Sequence, residues 1–384
     1  MRYLKPHYYD KFRCIADRCP DSCCEGWQIM IDDASLERYE EVEGAFGARL
    51  MASIDWKEGA FRQCHGKCSF LNEKGLCDLQ ATLGEDYLCK TCAQYPRHVE
   101  EYEGLREWSL SLSCPVAAEM ILLDREPFRL LEEETEEEEE LAEEFEDFDF
   151  MMFSQLEEAR DLMFGLLGKQ EVSFEEACDR MRGFVRALQD CMEEERYYDV
   201  DEVIESFRAN PEGMAEGSGE AEGIYEEAVR GFSYLNELER LREDWTQVLE
   251  NMGKCLYEEG EEAYLAHRKA FLEALEKSGQ EERRQGETRA VNIRDWDRMA
   301  KNMMYFFLYT YFCGAVYDDW IYSKYALAEF SVRSIRELVL ADWMQNKTVT
   351  EEQIVHWAYR YAREIEHSDE NLNCLEELLT ENPV

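Results

Sequence analysis

Positive charge is scarce in this chain of 384 residues: 42 Lys and Arg stand against 87 Asp and Glu, a formal net charge of −45. A protein this acidic lacks the basic footprint that draws DNA or RNA, so nucleic-acid binding is excluded. Long apolar runs are also missing. The longest, 303–317, carries Tyr and Thr and stops at Asp318-Asp319. That is too short for a bilayer span, so a buried helix is expected and no membrane partner. Residues 1–12 contain no apolar stretch with a small-residue cleavage site, so no secretory signal is visible and a cytoplasmic location is expected. No strand precedes Gly217-Ser218-Gly219, and glutamates surround it, which argues against a phosphate loop. The absence of alternating strand and helix patterns argues against a doubly wound α/β sheet.

What the chain does have is enough apolar surface to fold. Hydrophobic residues make up 45% and aromatics 12%, too many for a disordered acidic polymer. The expected fold is mainly α: a helical protein with an irregular cysteine-rich N-terminal metal-binding region containing a small β-hairpin. Residues 1–125 form the cysteine-rich domain and 126–150 an acidic linker. Residues 151–277 form an acidic helical domain, 278–289 a charged linker, and 290–384 a C-terminal helical region packing on the rest. Within 132–147, 12 of 16 positions are carboxylates, and their repulsion suits a solvated linker or frayed helix.

Local signals place the elements. Asp32-Asp33 starts a helix. Residues 99–112 read as a hairpin turning at Glu103-Gly104, with Trp108, Leu110 and Leu112 alternating against serines. Pro115 suits the first position of a helix, which puts Cys114 at its N-terminus. Ser173–Glu176 and Thr350–Gln353 are capping boxes. Residues 210–223 read as a loop, and 224–251 as helix.

Cysteine carries the chemistry. Of 15 cysteines, ten fall within the first 114 residues: Cys14, Cys19, Cys23, Cys24, Cys64, Cys68, Cys77, Cys89, Cys92 and Cys114. Clustered cysteines in a reducing compartment bind metal more often than they form disulfides. Thiolates are soft ligands for zinc or iron–sulfur clusters, and spacings such as Cys14-x4-Cys19-x3-Cys23-Cys24 and Cys89-x2-Cys92 let neighbouring sulfurs converge. A helix N-terminus favours the Cys114 thiolate, and Lys67, Lys90 and Arg97 place positive charge near the cysteines. Cys178, Cys191, Cys255, Cys313 and Cys374 are isolated in helical segments and read as plain thiols. The radical-generating Cys-x3-Cys-x2-Cys arrangement is absent: it would need cysteine where Gly26 or Leu71 stands.

These residues also carry a resemblance. Phe12-x-Cys14-x4-Cys19-x3-Cys23-Cys24-x2-Trp27-x-Ile29 resembles the opening of the bacterial flagellin lysine-N-methylases and of the broader Cys-x3-Cys-Cys iron- or zinc-chelating domains. Cys68-Ser69-Phe70-Leu71, Cys77, Leu83-Gly84 and Thr91-Cys92-x2-Tyr95-Pro96-Arg97 are similar to that family's second block. Leu112-Ser113-Cys114-Pro115 is similar to its third. Arg363-Glu364-Ile365-Glu366-His367-Ser368 and the aromatic run from Asn302 to Phe312 are similar to its tail. The likeness covers both ends of the chain, while 125–285 matches only in being helical and acidic.

The resemblance implies a protein-lysine N-methyltransferase of the bacterial flagellum. It would carry methyl groups from S-adenosylmethionine to lysine ε-amines of flagellin, with a cysteine-held [4Fe–4S] cluster or, alternatively, zinc. Expected ligands are Cys14, Cys19, Cys23, Cys24, Cys68, Cys77, Cys89, Cys92 and Cys114. Nine exceeds what one cluster needs, so the set includes non-ligands or a second site, and Cys64 falls outside the family pattern. Arg97 could pair with a carboxylate of the methyl donor, and Trp27 and Tyr95 could face its cationic centre. Their bland alternatives are a salt bridge and core packing. His367 is expected to cap the last long helix, and no catalytic residue is assigned. The competing reading is a non-catalytic zinc-binding adaptor.

Overall fold

The structure, a computed structural model, describes residues 1–135, 145, 148–215, 223–278 and 290–381. Gly217-Ser218-Gly219, most of the 132–147 acidic block and nearly all of the 278–289 segment lie outside the described residues.

The N-terminal third is short and irregular. It holds strands β1 (Arg2–Pro6), β2 (Ile54–Asp55), β3 (Ala60–Phe61), β4 (Gln63–Cys64), β5 (Lys67–Cys68), β6 (Arg97–Tyr102) and β7 (Leu105–Leu110). Among them lie helices α1 (Asp33–Glu40), α2 (Gly44–Ala52), α3 (Asp78–Leu83) and α4 (Lys90–Gln94). After α5 (Pro115–Leu122) comes β8 (Leu130–Glu134). The rest is helical: α6 (Phe150–Leu167), α7 (Phe174–Glu193), α8 (Val200–Ala209), α9 (Ile224–Glu237), α10 (Glu243–Leu256) and α11 (Glu261–Ser278). α12 (Ile293–Tyr311), α13 (Ile321–Asn346), α14 (Glu351–Glu366) and α15 (Asp369–Glu381) complete it. The protein is therefore mainly helical with small N-terminal sheets.

The local signals act where expected. Asp32 caps α1 by accepting from the Ser35 backbone N–H. Both capping boxes form, at Ser173 on α7 and Thr350 on α14. β6 and β7 pair antiparallel through a turn at Gly104, which adopts a positive φ of 75°. The 224–251 stretch differs: it breaks into α9 and α10, and the intervening loop carries Arg240, whose guanidinium donates to the carbonyls of Leu235 and Leu238 at the end of α9.

The main sheet has the order β6-β7-β1-β8. β8 runs antiparallel to β1, with Glu132, Glu133 and Glu134 opposite Leu4, Tyr3 and Arg2. The acidic block thus begins as an edge strand; Arg2 and Lys5 on β1 pair with Glu132 and Glu133. On β7 the inward residues include Glu107, which packs against α6 because Arg160 meets it at 2.5 and 2.7 Å. Each side chain of that pair is 1% exposed, so each charge needs the other to offset its lost hydration.

Two apolar cores result. The smaller gathers Ile29, Ile31, Tyr39, Leu50, Ile54, Phe61, Phe70 and Leu79, with Cys68 and Cys89 among them. The larger runs from Leu4 to Leu379 and joins the main sheet, α5 and the helices. α13 is buried on nearly every side, as a helix must be when apolar residues ring it. α14 packs on both α13 and α5, so its C-terminal end arrives beside Cys114.

A thiol-rich junction as candidate active site

All 15 cysteines are free thiols. The small core collects Cys68 and Cys89, with Cys24, Cys77 and Cys92 packed against it. The chain brings them together by backbone pairing: the Cys68 N–H donates to the Cys24 carbonyl at 2.8 Å, and Leu71 bridges to Cys77. Their thiols feel one another's charge. The hydrogen bond to Cys89 raises Cys92 and lowers Cys89, so the proton of that pair rests on Cys92. Burial pushes Cys68 up to about 11, with Cys77 and Cys89 adding to the rise.

A second group lies at the boundary with the large core. Cys114 feels Cys19 and Cys23, and Cys19 feels Cys23 and Cys14. Cys23 shares a hydrogen bond with Cys24, which links the two groups. Cys64 stands apart, exposed on β4. Cys114 stands at the N-terminus of α5, as expected, but the favour this gives its thiolate is outweighed. Burial lifts its thiol to about 11, outweighing the N–H groups of Val116 and Ala117 that favour the thiolate.

Among the described residues, no three His, Cys, Asp or Glu side chains stand in the closed geometry of a metal site. The donor chemistry nevertheless fits a thiolate-held group. Soft sulfurs from four separate segments come together at the small core, and a bound metal would take the place of their thiol protons.

Beside the second group lies an aromatic trio. Trp27 stacks on His367 with centroids 4.7 Å apart, and Tyr95 lies 5.8 Å from Trp27 and 5.9 Å from His367. The Trp27 indole N–H donates to the Cys23 carbonyl at 2.8 Å, fixing the ring against the cysteine loop. His367 is the residue following α14, as expected of a cap, but its ring crosses to the N-terminal region, where Nε2 lies 2.9 Å from Ser113 Oγ. Burial first, and the charge of Arg363 second, push it down to about 3, so the ring is neutral. Tyr95 also reaches Ser113 Oγ, at 3.0 Å. Glu366 Oε2 accepts from Ser111 Oγ at 2.5 Å, and burial lifts this carboxyl to about 7.

Arg363 locks the two ends of the chain together. It donates to the carbonyls of Ser113, Asp21 and Ser22 and pairs with the Asp21 carboxylate at 2.8 Å. Its charge is also the cation that Cys19 and Cys23 feel. The cations singled out from sequence sit elsewhere. Lys67 faces Glu25 at 3.5 Å, and Arg97 lies over the Phe12 ring, 5.2 Å from its centroid. Of the three residues expected to touch the methyl donor, Trp27 and Tyr95 are therefore brought together and Arg97 is not part of the trio. Ser111, Arg363 and Glu366 were not picked out individually. Two of them lie about 340 and 250 residues from their partners; the shared family motif around 363–368 was the one signal pointing to Arg363 and Glu366, and Ser111 stood only among the alternating serines of the hairpin.

Comparisons with known proteins give this junction a class. Residues 160–384 match the family model described as the FliB lysine N-methylase C-terminal domain, and that description defines a protein-lysine methyltransferase. The chain belongs to the FliB lysine N-methylase family. It is 31% identical over 141 residues to the flagellar biosynthetic protein FliU of Salmonella muenchen, an alignment covering 34% of this chain and 83% of that protein. It is also 31% identical over 138 residues to the lysine-N-methylases of Salmonella typhimurium and Salmonella choleraesuis, covering 33% of this chain. The chain spans only 34% of the length of each of those two. No solved structure matches. No helix among the described residues is long and apolar enough to cross a membrane.

Proposed function

We propose that this protein transfers methyl groups from S-adenosylmethionine to lysine ε-amines of a flagellin at the junction of Trp27, Tyr95 and His367. The observation that carries the reading is the packing of Arg363–His367, inside the family-matched region, against Ser113, Trp27 and the cysteine loops. Methyl transfer to lysine needs a neutral amine in line with a sulfonium methyl. Aromatic faces attract both cations, the lysine ammonium and the sulfonium. Partial burial against these rings would lower the lysine pKa by withdrawing water from its charged form. A neutral imidazole beside it presents a nitrogen that can take the amine's proton. The flagellin assignment rests on the names of the Salmonella relatives, one a flagellar biosynthetic protein.

Cys24, Cys68, Cys89 and Cys92, with Cys77 beside them, would hold a [4Fe–4S] cluster. With only three of these thiolates as ligands, the cluster when bound would leave one iron open to the amino and carboxylate groups of the methyl donor. Cys14, Cys19, Cys23 and Cys114 are the remaining thiolate candidates. The chain's own residues do the rest: the trio orients the amine, and Arg363 holds the cysteine loop to α14.

The test is incubation of the anaerobically purified protein with isotope-labelled S-adenosylmethionine and flagellin from the same source, read by mass spectrometry. Methyl groups on flagellin lysines are expected, reduced about 10- to 100-fold in Trp27→Ala and lost in Cys24→Ala. No labelled lysine from iron-loaded protein overturns the reading. A colourless protein with stoichiometric zinc and no methylation establishes the zinc-adaptor alternative instead.

A further inference from the structure

The polar groups behind the aromatic trio form a continuous chain. His367 Nε2 lies 2.9 Å from Ser113 Oγ, Ser113 Oγ lies 2.5 Å from Ser111 Oγ, and Ser111 Oγ lies 2.5 Å from Glu366 Oε2. Two side contacts constrain its direction. Tyr95 Oη lies 3.0 Å from Ser113 Oγ, and the Ser113 backbone N–H donates to Ser111 Oγ at 3.2 Å.

A hydroxyl has one proton to give and two lone pairs to receive. With Glu366 ionised, Ser111 must donate to it, because a carboxylate only accepts. Ser113 must then donate to Ser111, and can only accept from Tyr95 and from the imidazole. His367 is thereby fixed as the tautomer with the proton on Nε2, leaving Nδ1 bare. Nδ1 makes no hydrogen bond among the described residues. When Glu366 is protonated, every bond in the chain can run the other way: Glu366 donates to Ser111, Ser111 to Ser113, and Ser113 to a bare Nε2. The same atoms thus satisfy two complete hydrogen-bond patterns; the second holds one more proton, with Nδ1 protonated, Nε2 bare and Glu366 neutral. Glu366 lies at the far end, where the backbone N–H groups of Ser113 and Leu112 also favour its charged form against the burial that opposes it.

We propose that Ser113, Ser111 and Glu366 form a proton relay that drains the target lysine through His367. The inference rests on the lysine methylation reading above. The lysine ammonium gives a proton to His367 Nδ1. The Nε2 proton passes to Ser113, the Ser113 proton to Ser111, and the Ser111 proton to the Glu366 carboxylate. The neutral amine then attacks the sulfonium methyl: the N–C bond forms, the C–S bond breaks, and its electron pair stays on sulfur, leaving a thioether and a methylammonium. His367 is the residue that meets the amine; Glu366 acts through it as a positioning and proton-accepting residue.

The surroundings suit an acceptor at the buried end. Burial makes the carboxyl reluctant to stay charged and lifts it to about 7, within reach of a proton delivered near neutrality. The other titratable groups around the chain are few. His98 on β6 faces Glu366 and is itself paired with Glu100 at 2.5 Å. Tyr311 at the end of α12 and Tyr361 on α14 feel the Glu366 charge. Arg363 lies on the His367 side, and Tyr95 is held above its ordinary range by burial.

The test is the pH profile of kcat and kcat/KM for flagellin methylation by the full-length wild type, Glu366→Gln and Ser111→Ala. Wild type should lose rate below about pH 7 as Glu366 becomes protonated. Glu366→Gln and Ser111→Ala should each lower kcat roughly 10²-fold at pH 7 with KM little changed, and the inflection near pH 7 should vanish. The deficit should shrink toward pH 10, where lysine sheds its own proton. Glu366→Gln that methylates at the wild-type rate with the same inflection overturns the relay. So does a deficit that is equal at every pH, which marks a merely structural role. If Glu366→Gln fails to fold, Ser111→Ala, which keeps both end groups, decides by the same two criteria. A wild type that never methylates lysine refutes the methylation reading instead.

Discussion

His367 gives the residue scale its clearest handle. The fold keeps its ring neutral, at about 3 against an ordinary value near 6.5, through burial and the charge of Arg363. As pH falls below about 6.5 the unfolded chain takes up this proton before the folded one does. Stability is therefore lost progressively from there toward pH 3. Between pH 7 and pH 5 this ring should account for about 1–2 kcal/mol of lost stability. Glu366 works in the opposite sense. Its raised value of about 7 contributes stability that is full below pH 4.5 and lost as pH rises through 7. Urea unfolding of His367→Gln at both pH values should isolate the histidine part, with the stability gap from wild type narrowing at pH 5 by that amount. The thiols separate in the same way. Cys64 is exposed and outside both sulfur groups, whereas Cys92 is bonded to Cys89. Iron or zinc content per chain should survive in Cys64→Ser and fall at least by half in Cys92→Ser. At this scale the clustering of the cysteines was legible in their spacing, while Trp27 and Tyr95 were offered only by the resemblance, with core packing as the alternative. Ser111, Ser113 and Glu366 were not legible as partners, since their meaning lies in a contact across roughly 250 residues.

At the scale of elements, the start of α14 sets where its end lands. Thr350 accepts from the Gln353 N–H and Gln353 answers at the Thr350 N–H. Thr350→Ala should cost about 1 kcal/mol in a denaturant midpoint measurement, with little change in methylation at saturating substrate. The β7–α6 contact is costlier to break. Glu107→Ala would strand the Arg160 guanidinium, 1% exposed, without its carboxylate. The expected loss is roughly 3–5 kcal/mol in the same assay. Capping boxes, Pro115 at the head of α5 and the hairpin, read at 99–112 and formed over 97–110, could be read in advance because each depends on neighbours within a few residues. The pairing of β1 with both β7 and β8 could not. Nor could the inward turn of Glu107, which reads as a surface glutamate until Arg160 is placed opposite.

On the whole molecule, the charge of −45 lies outside one cysteine segment whose own charges balance. Residues 64–97 hold Lys67, Lys74, Lys90 and Arg97 against Glu73, Asp78, Glu85 and Asp86, that is 4 − 4 = 0. That negative charge should draw lysine-bearing surfaces toward the junction over a distance set by the Debye length. kcat/KM for flagellin should therefore fall several-fold between 0.05 and about 0.5 M salt while kcat holds. Equal values at both would leave the negative charge with solubility alone. By itself the sequence determined the helical class and the caps and turns, and its motifs carried the resemblance to the family. The class, caps and turns follow from composition and short-range spacing. Only the tertiary structure decided which thiols face one another. It alone made Arg363 the clasp between the two ends and brought His367 onto Trp27. Those outcomes depend on how α5, α13 and α14 pack, and the free energy of that packing is shared by residues no short window contains.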